Sequence, residues 1–159
     1  MPSRLSDPGL LVPAFWERAE PVLKMVAVRG YPYVIWETLR SLERSARLVQ
    51  TGKSQVTGGP SMHCYGVALD AVCKAHRWDC EKHGCAFYSV LHQEALAAKL
   101  TRVRLTNKKT GKKFWDGPHI QAVPVSMQAR VRATAPEHIN TLVRAYFAGL
   151  VGAGPRGAP

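Results

Sequence analysis

A chain of 159 residues is long enough for one domain that buries roughly two-thirds of its unfolded surface, so its core needs no disulfide staples. Twenty-two Lys and Arg against eleven Asp and Glu leave a net charge of +11, which favours anionic partners such as cell-wall polymer, lipopolysaccharide, nucleic acid or an anionic membrane. No apolar run reaches the ~18 residues of a membrane span, and the start Met1-Pro2-Ser3-Arg4 lacks a secretory pattern, so synthesis and retention in the cytoplasm is expected.

One domain is expected over 1–159, with Pro/Gly-rich ends frayed at about 1–8 and 153–159. Phe15, Ala19, Val22, Leu23 and Val26 recur at helical spacing, and Pro21 is expected to divide that segment into two short helices before Gly30. Tyr33–Trp36 is β-branched and aromatic and reads as a buried strand, with Arg40 leaving its end and a helix following from Leu42 to Gln50. The loop Thr51–Pro60 then delivers Ser61 and His63 to a strand from Tyr65 to Val72. Residues seven apart on a regular strand face opposite ways, so His63 can join Asp70 only if it precedes the pleat or lies across a bulge.

Phe87–Lys99 reads as a helix, and Leu100–Thr106 as a strand turning at Asn107–Gly111 into a second strand. His119 and Gln121 share one face of that second strand, which can lie beside the strand bearing Asp70. Ile139, Leu142, Val143, Tyr146, Phe147, Leu150 and Val151 mark one closing amphipathic helix capped by Gly152. The expected class is α+β, a central, mostly antiparallel sheet flanked by helices with a zinc site in a cleft on the sheet.

His63, Asp70 and His119 form a nitrogen/oxygen set of the kind that holds a catalytic zinc ion with one position open for water. Asp116, three residues before His119, is placed to serve as general base and then as acid to the leaving group. Arg40, always charged, can stabilise a developing oxyanion, and Ser61 can hydrogen-bond the substrate. Cys73, His76, Cys80, His83 and Cys85 form a second dense cluster, for which free thiols and surface imidazoles are expected ahead of a structural metal or disulfides. The basic run Lys99, Arg102, Arg104, Lys108, Lys109, Lys112 and Lys113 surrounds the hairpin as a solvated or anion-attracting face.

The pattern Ser61-x-His63-x-x-Gly66-x-Ala68-x-Asp70, the later Asp116-x-x-His119 and the upstream Arg40-Ser41 resemble the zinc D-alanyl-D-alanine carboxypeptidase and L-alanyl-D-glutamate endopeptidase family over about Leu11 to Gln121. Ser45 stands where relatives often carry Gln, and the lead-in to the last ligand is reduced to Lys112-Lys113-Phe114-Trp115. The resemblance implies one Zn2+ on His63, Asp70 and His119, Asp116 as acid/base, and Arg40 and Ser61 at the substrate. It also implies a monomeric phage endolysin that waits in the host cytoplasm until a holin opens the membrane, then cuts the peptidoglycan stem peptide. The L-alanyl-D-glutamate bond is the preferred target and D-alanyl-D-alanine carboxypeptidase activity the near rival. An anionic outer-membrane surface is a further partner for the basic chain, and nucleic acid is not expected. The rival of another class is a noncatalytic basic binding module with a structural metal, against which the presence of Asp116 argues.

Overall fold

The computed structural model describes residues 4–54, 58–107 and 109–152. Four strands, β1 (Tyr33–Glu37), β2 (Ala68–Cys73), β3 (Thr101–Thr106) and β4 (Lys113–Gln121), form one wholly antiparallel sheet in the order β1-β2-β4-β3. The helices α1 (Pro13–Val28) and α3 (Phe87–Ala97) pack together, α3 also against β3 and β4, while α5 (Ile139–Phe147) lies against α1. The remaining helices are α2 (Leu42–Gln50), which follows β1, and α4 (Gln128–Arg132), which packs against the 3₁₀ turn Met62–Tyr65. The class is α+β, as the sequence pattern predicts.

Along β2 the side chains alternate, so Leu69, Ala71 and Cys73 meet the core formed with Phe15, Leu23, Phe87, Leu91 and Ile120. Asp70 takes the opposite face, beside His119 in direct register on β4. An apolar helical layer thus closes one side of the sheet and leaves the other for polar chemistry.

Two helix predictions are corrected. Pro21 does not divide the first helix: α1 runs unbroken, because Pro21 sits on its exposed side while Ala19, Val22, Leu23 and Val26 hold the buried face in place. The closing helix stops short of Gly152, since Gly149 already supplies the reversal: its amide donates to Tyr146 O at 3.0 Å and that of Leu150 to Ala145 O at 2.9 Å. Leu150, expected on the apolar face, is left 82% exposed.

The cysteine expectation is also revised. Cys80 and Cys85 form a disulfide, because the 3₁₀ turn Glu81–His83 reverses the chain and brings their Cα atoms to 5.0 Å. Arg4–Asp7, read from the sequence as part of a loose end, contacts the sheet edge: Leu5 O accepts the Thr38 amide at 2.8 Å, and the Arg4 guanidinium lies 3.8 Å from the Trp36 ring centre. Lys108 and the end 153–159 lie outside the described residues. Among the described residues no helix is long and apolar enough to cross a membrane.

Candidate metal centre

His63 reaches the site from a 3₁₀ turn, Met62–Tyr65, ahead of the β2 pleat, which is one of the two arrangements the seven-residue separation allows; the strand accordingly starts at Ala68 and not at Tyr65. Ser61 caps that turn by accepting the His63 amide at 3.4 Å, and Gly66 ends it with φ +67°. A Cβ on Gly66 would stand 3.0 Å from the Leu10 carbonyl oxygen, so both the backbone conformation and the close approach demand glycine.

Asp116 and His119 would face opposite ways on a regular strand. Both line the same cleft because an advance of two residues along β3, Arg102 to Arg104, is matched by five along β4, Ile120 to Trp115. Gly117-Pro118 occupies this irregular stretch, where proline's missing N–H costs no regular ladder bond and the Tyr88 ring packs against Gly117 so closely that a Cβ would meet it at 3.0 Å.

The three ligand-type atoms converge. His63 Nε2 lies 3.2 Å from Asp70 Oδ1 and 3.2 Å from His119 Nδ1, and His119 Nδ1 lies 3.1 Å from Asp70 Oδ1. Zinc held at its usual nitrogen and oxygen distances gives tetrahedral ligand separations of about 3.4 Å, so the side chains need move only a few tenths of an ångström. Two imidazoles with one carboxylate suit zinc or a neighbouring first-row metal; calcium and magnesium favour shells built from oxygen.

Outer partners settle which ring nitrogens face inward. His63 Nδ1 donates to Thr38 O at 2.9 Å, which leaves the Nε2 lone pair for the centre. His119 Nε2 donates to Gln121 Oε1 at 3.1 Å, and Gln121 is itself oriented by donating from Nε2 to Val123 O at 2.6 Å. With both outward nitrogens protonated, three acceptors point at one another in a buried site, an arrangement that a positive charge between them would satisfy. Burial alone would raise Asp70, yet the adjoining imidazoles hold its carboxyl far below the usual range. Burial likewise opposes charge on His119, but Asp70 and Asp116 push its pKa up to about 9. His63, Asp70 and His119 are thus a group that could hold a metal ion.

Replacing Gln121 with Leu removes the acceptor that orients His119, and metal affinity should fall about 10–100-fold, the usual effect of losing such a partner. Competition with a chromophoric chelator measures this; unchanged affinity would mean that Gln121 does not set the ring.

Around the three residues lie Arg40, Ser61, Trp78, Arg104 and Asp116, lining a cleft of about 520 Å³. Burial raises the Asp116 carboxyl above its ordinary value despite the opposing pull of His119, His63 and Arg40. The Asp116 carbonyl is fixed from behind by His92 Nε2 at 3.2 Å, and burial keeps His92 below its usual pKa. Neither His92 nor Thr38 was assigned a role from sequence. The helical step from Tyr88 to His92 was the available signal, since it places both on the α3 face that packs on β4.

Arg40 lines the cleft but is not a free charge. Its Nε and Nη2 both donate to Glu37 Oε2, while Glu37 Oε1 accepts Arg44 Nε at 2.8 Å. Glu37 stands opposite Asp70 in the register, and this buried carboxylate was not singled out from sequence. Burial would raise its pKa, but the hydrogen bonds from Arg40 and Arg44 outweigh that and lower it. Its contribution to stability is therefore present above its ordinary value near 4.5 and disappears as pH falls through the lower folded value. Urea melts should show the metal-free chain weakening on acidification, with a smaller loss in Glu37→Gln; equal slopes would remove Glu37 from that account.

No family model matches the chain, and no curated protein matches it. Among solved structures it is similar to the L-Ala D-Glu endopeptidase ChiX of Serratia marcescens, at 24% identity over 70% of this chain and 87% of that one, with a TM-score of 0.38.

Proposed function

We propose that this chain is a zinc-dependent peptidoglycan hydrolase that cuts the stem peptide, chiefly at the L-alanyl-D-glutamate bond. The observation that carries this reading is the convergence of His63 Nε2, His119 Nδ1 and Asp70 Oδ1 in a cleft that also contains Asp116. A zinc ion there would polarise a carbonyl and lower the pKa of water to about 7. His63, Asp70 and His119 are its proposed ligands.

Asp116 is the proposed proton carrier. Its Oδ takes a proton from the attacking water and returns it to the departing amine, so one carboxyl serves both halves of hydrolysis. Arg40 and Arg44 share one carboxylate, leaving one net positive charge beside the cleft that Arg40 lines, which would favour negative charge developing on a carbonyl oxygen during attack. Arg40 is thus proposed to act through field and position, with Ser61 aligning the substrate beside the turn it caps. The basic surface would draw the enzyme to anionic wall polymer. The resemblance in sequence pattern adds the biological setting: a monomeric phage endolysin, released from the host cytoplasm through a holin-opened membrane.

Digestion of purified peptidoglycan with and without a chelator, followed by mass spectrometry of the new ends, tests this reading. Fresh N-terminal D-Glu is expected, sensitive to the chelator. Released D-Ala would reassign the bond, and undegraded wall in the presence of zinc would end the proposal.

A further inference from the structure

Three sulfur atoms gather on the far side of β2 from the site. Cys73 ends β2 on its core-facing side, and its Sγ lies 3.8 Å from the Sγ of Cys85, the half-buried partner of Cys80 in the disulfide. All three sulfurs fall within 4.8 Å of one another, and Cys73 and Cys80 are 4% and 0% exposed. A disulfide uses only two of these atoms. A tetrahedral zinc ion bound at the usual Zn–S distance places its sulfurs about 3.8 Å apart, which is the Cys73–Cys85 spacing already present.

Main-chain hydrogen bonds also shape the loop. Cys80 O accepts the amides of His83 at 3.1 Å and Cys85 at 3.0 Å, and Cys73 O accepts that of Arg77 at 2.9 Å. Tyr88 Oη, from α3, donates to Arg77 O at 3.2 Å. Reduction would therefore leave three thiols held together by main-chain bonds, in a pocket where bare thiolates are costly and a cation is favoured.

We propose that in the reduced chain Cys73, Cys80 and Cys85 form a second, structural site for a thiophilic divalent ion of the zinc class. A dithiol reductant supplies two electrons and two protons to the Cys80–Cys85 bond and becomes a cyclic disulfide itself. The ion then displaces three thiol protons and forms three metal–sulfur bonds. Its fourth position falls to water. The loop also carries Trp78, which lines the cleft and meets Trp36 edge-on at 5.4 Å between ring centres, so the ion would brace one wall of the catalytic groove.

Cobalt reports this site separately from the first, since His63, Asp70 and His119 offer no sulfur. The full chain, reduced until four thiols titrate, is expected to take up one equivalent of Co2+ with a sulfur-to-metal charge-transfer band. Three thiols should become protected from alkylation while Cys64 stays reactive, and zinc should displace the cobalt. Cys73→Ser should weaken binding at least about tenfold, and Cys85→Ser, at a half-buried position, checks that effect where folding is least at risk. Absence of the band in folded, reduced protein, or equal alkylation of all four thiols with metal present, would overturn the proposal whatever the wall-digestion experiment finds.

Discussion

His119→Ala is expected to lose its bound metal and to release no muropeptides. The substitution deletes one of the three proposed ligands, leaves Asp70 facing a single imidazole, and strips Gln121 Oε1 of its closest donor. Its effect on affinity should exceed the 10–100-fold expected for losing Gln121 alone, because a coordinating atom goes as well as its support. A metal acting on a carbonyl oxygen supplies several kcal/mol of transition-state stabilisation, so the rate should drop by on the order of 10³-fold or more. The fold should survive, since the core around Phe15, Leu69, Phe87 and Leu91 lies on the other side of the sheet. Metal analysis, circular dichroism and wall digestion on one preparation check all three points. Added zinc should restore chelator-treated wild type and leave the variant inactive; an active His119→Ala would remove this residue from the catalytic centre.

Asp116→Asn is expected to separate metal binding from turnover. The amide has nearly the carboxylate's shape but cannot take up the proton of an attacking water, so hydrolysis should fall about 10²–10⁴-fold, the range for losing a general acid/base. Zinc content should remain that of wild type, because Asp116 is not among the three converging groups. Asparagine also leaves in place the backbone carbonyl that His92 holds. The result that would count against Asp116 is a variant with full zinc and full rate. Reduced zinc together with reduced rate would instead place Asp116 among the ligands.

Short-range chemistry made much of this protein legible before folding. The strand and helix periods and the hairpin at Asn107–Gly111 follow from side-chain alternation and local turn preference, which also restrict His63 to a place before the pleat or across a bulge. Tolerance of Pro21 depended on which side of α1 faced solvent, and the end of α5 on which of several nearby glycines reversed the chain. Neither is a property of the segment alone.

The centre divides along the same line. Residue types and their order made His63, Asp70, His119 and Asp116 candidates, because a metal ligand must carry a lone pair and a proton carrier must titrate. Spatial packing decided the rest: the irregular β4 register turns Asp116 and His119 to one cleft, Gln121 and Thr38 choose the inward nitrogens, Glu37 takes up part of Arg40's charge, and three cysteines meet. These relations join positions far apart in the chain or depend on a local break in regularity, so no periodicity announces them. They arise only when the sheet closes and each buried polar atom must find a partner.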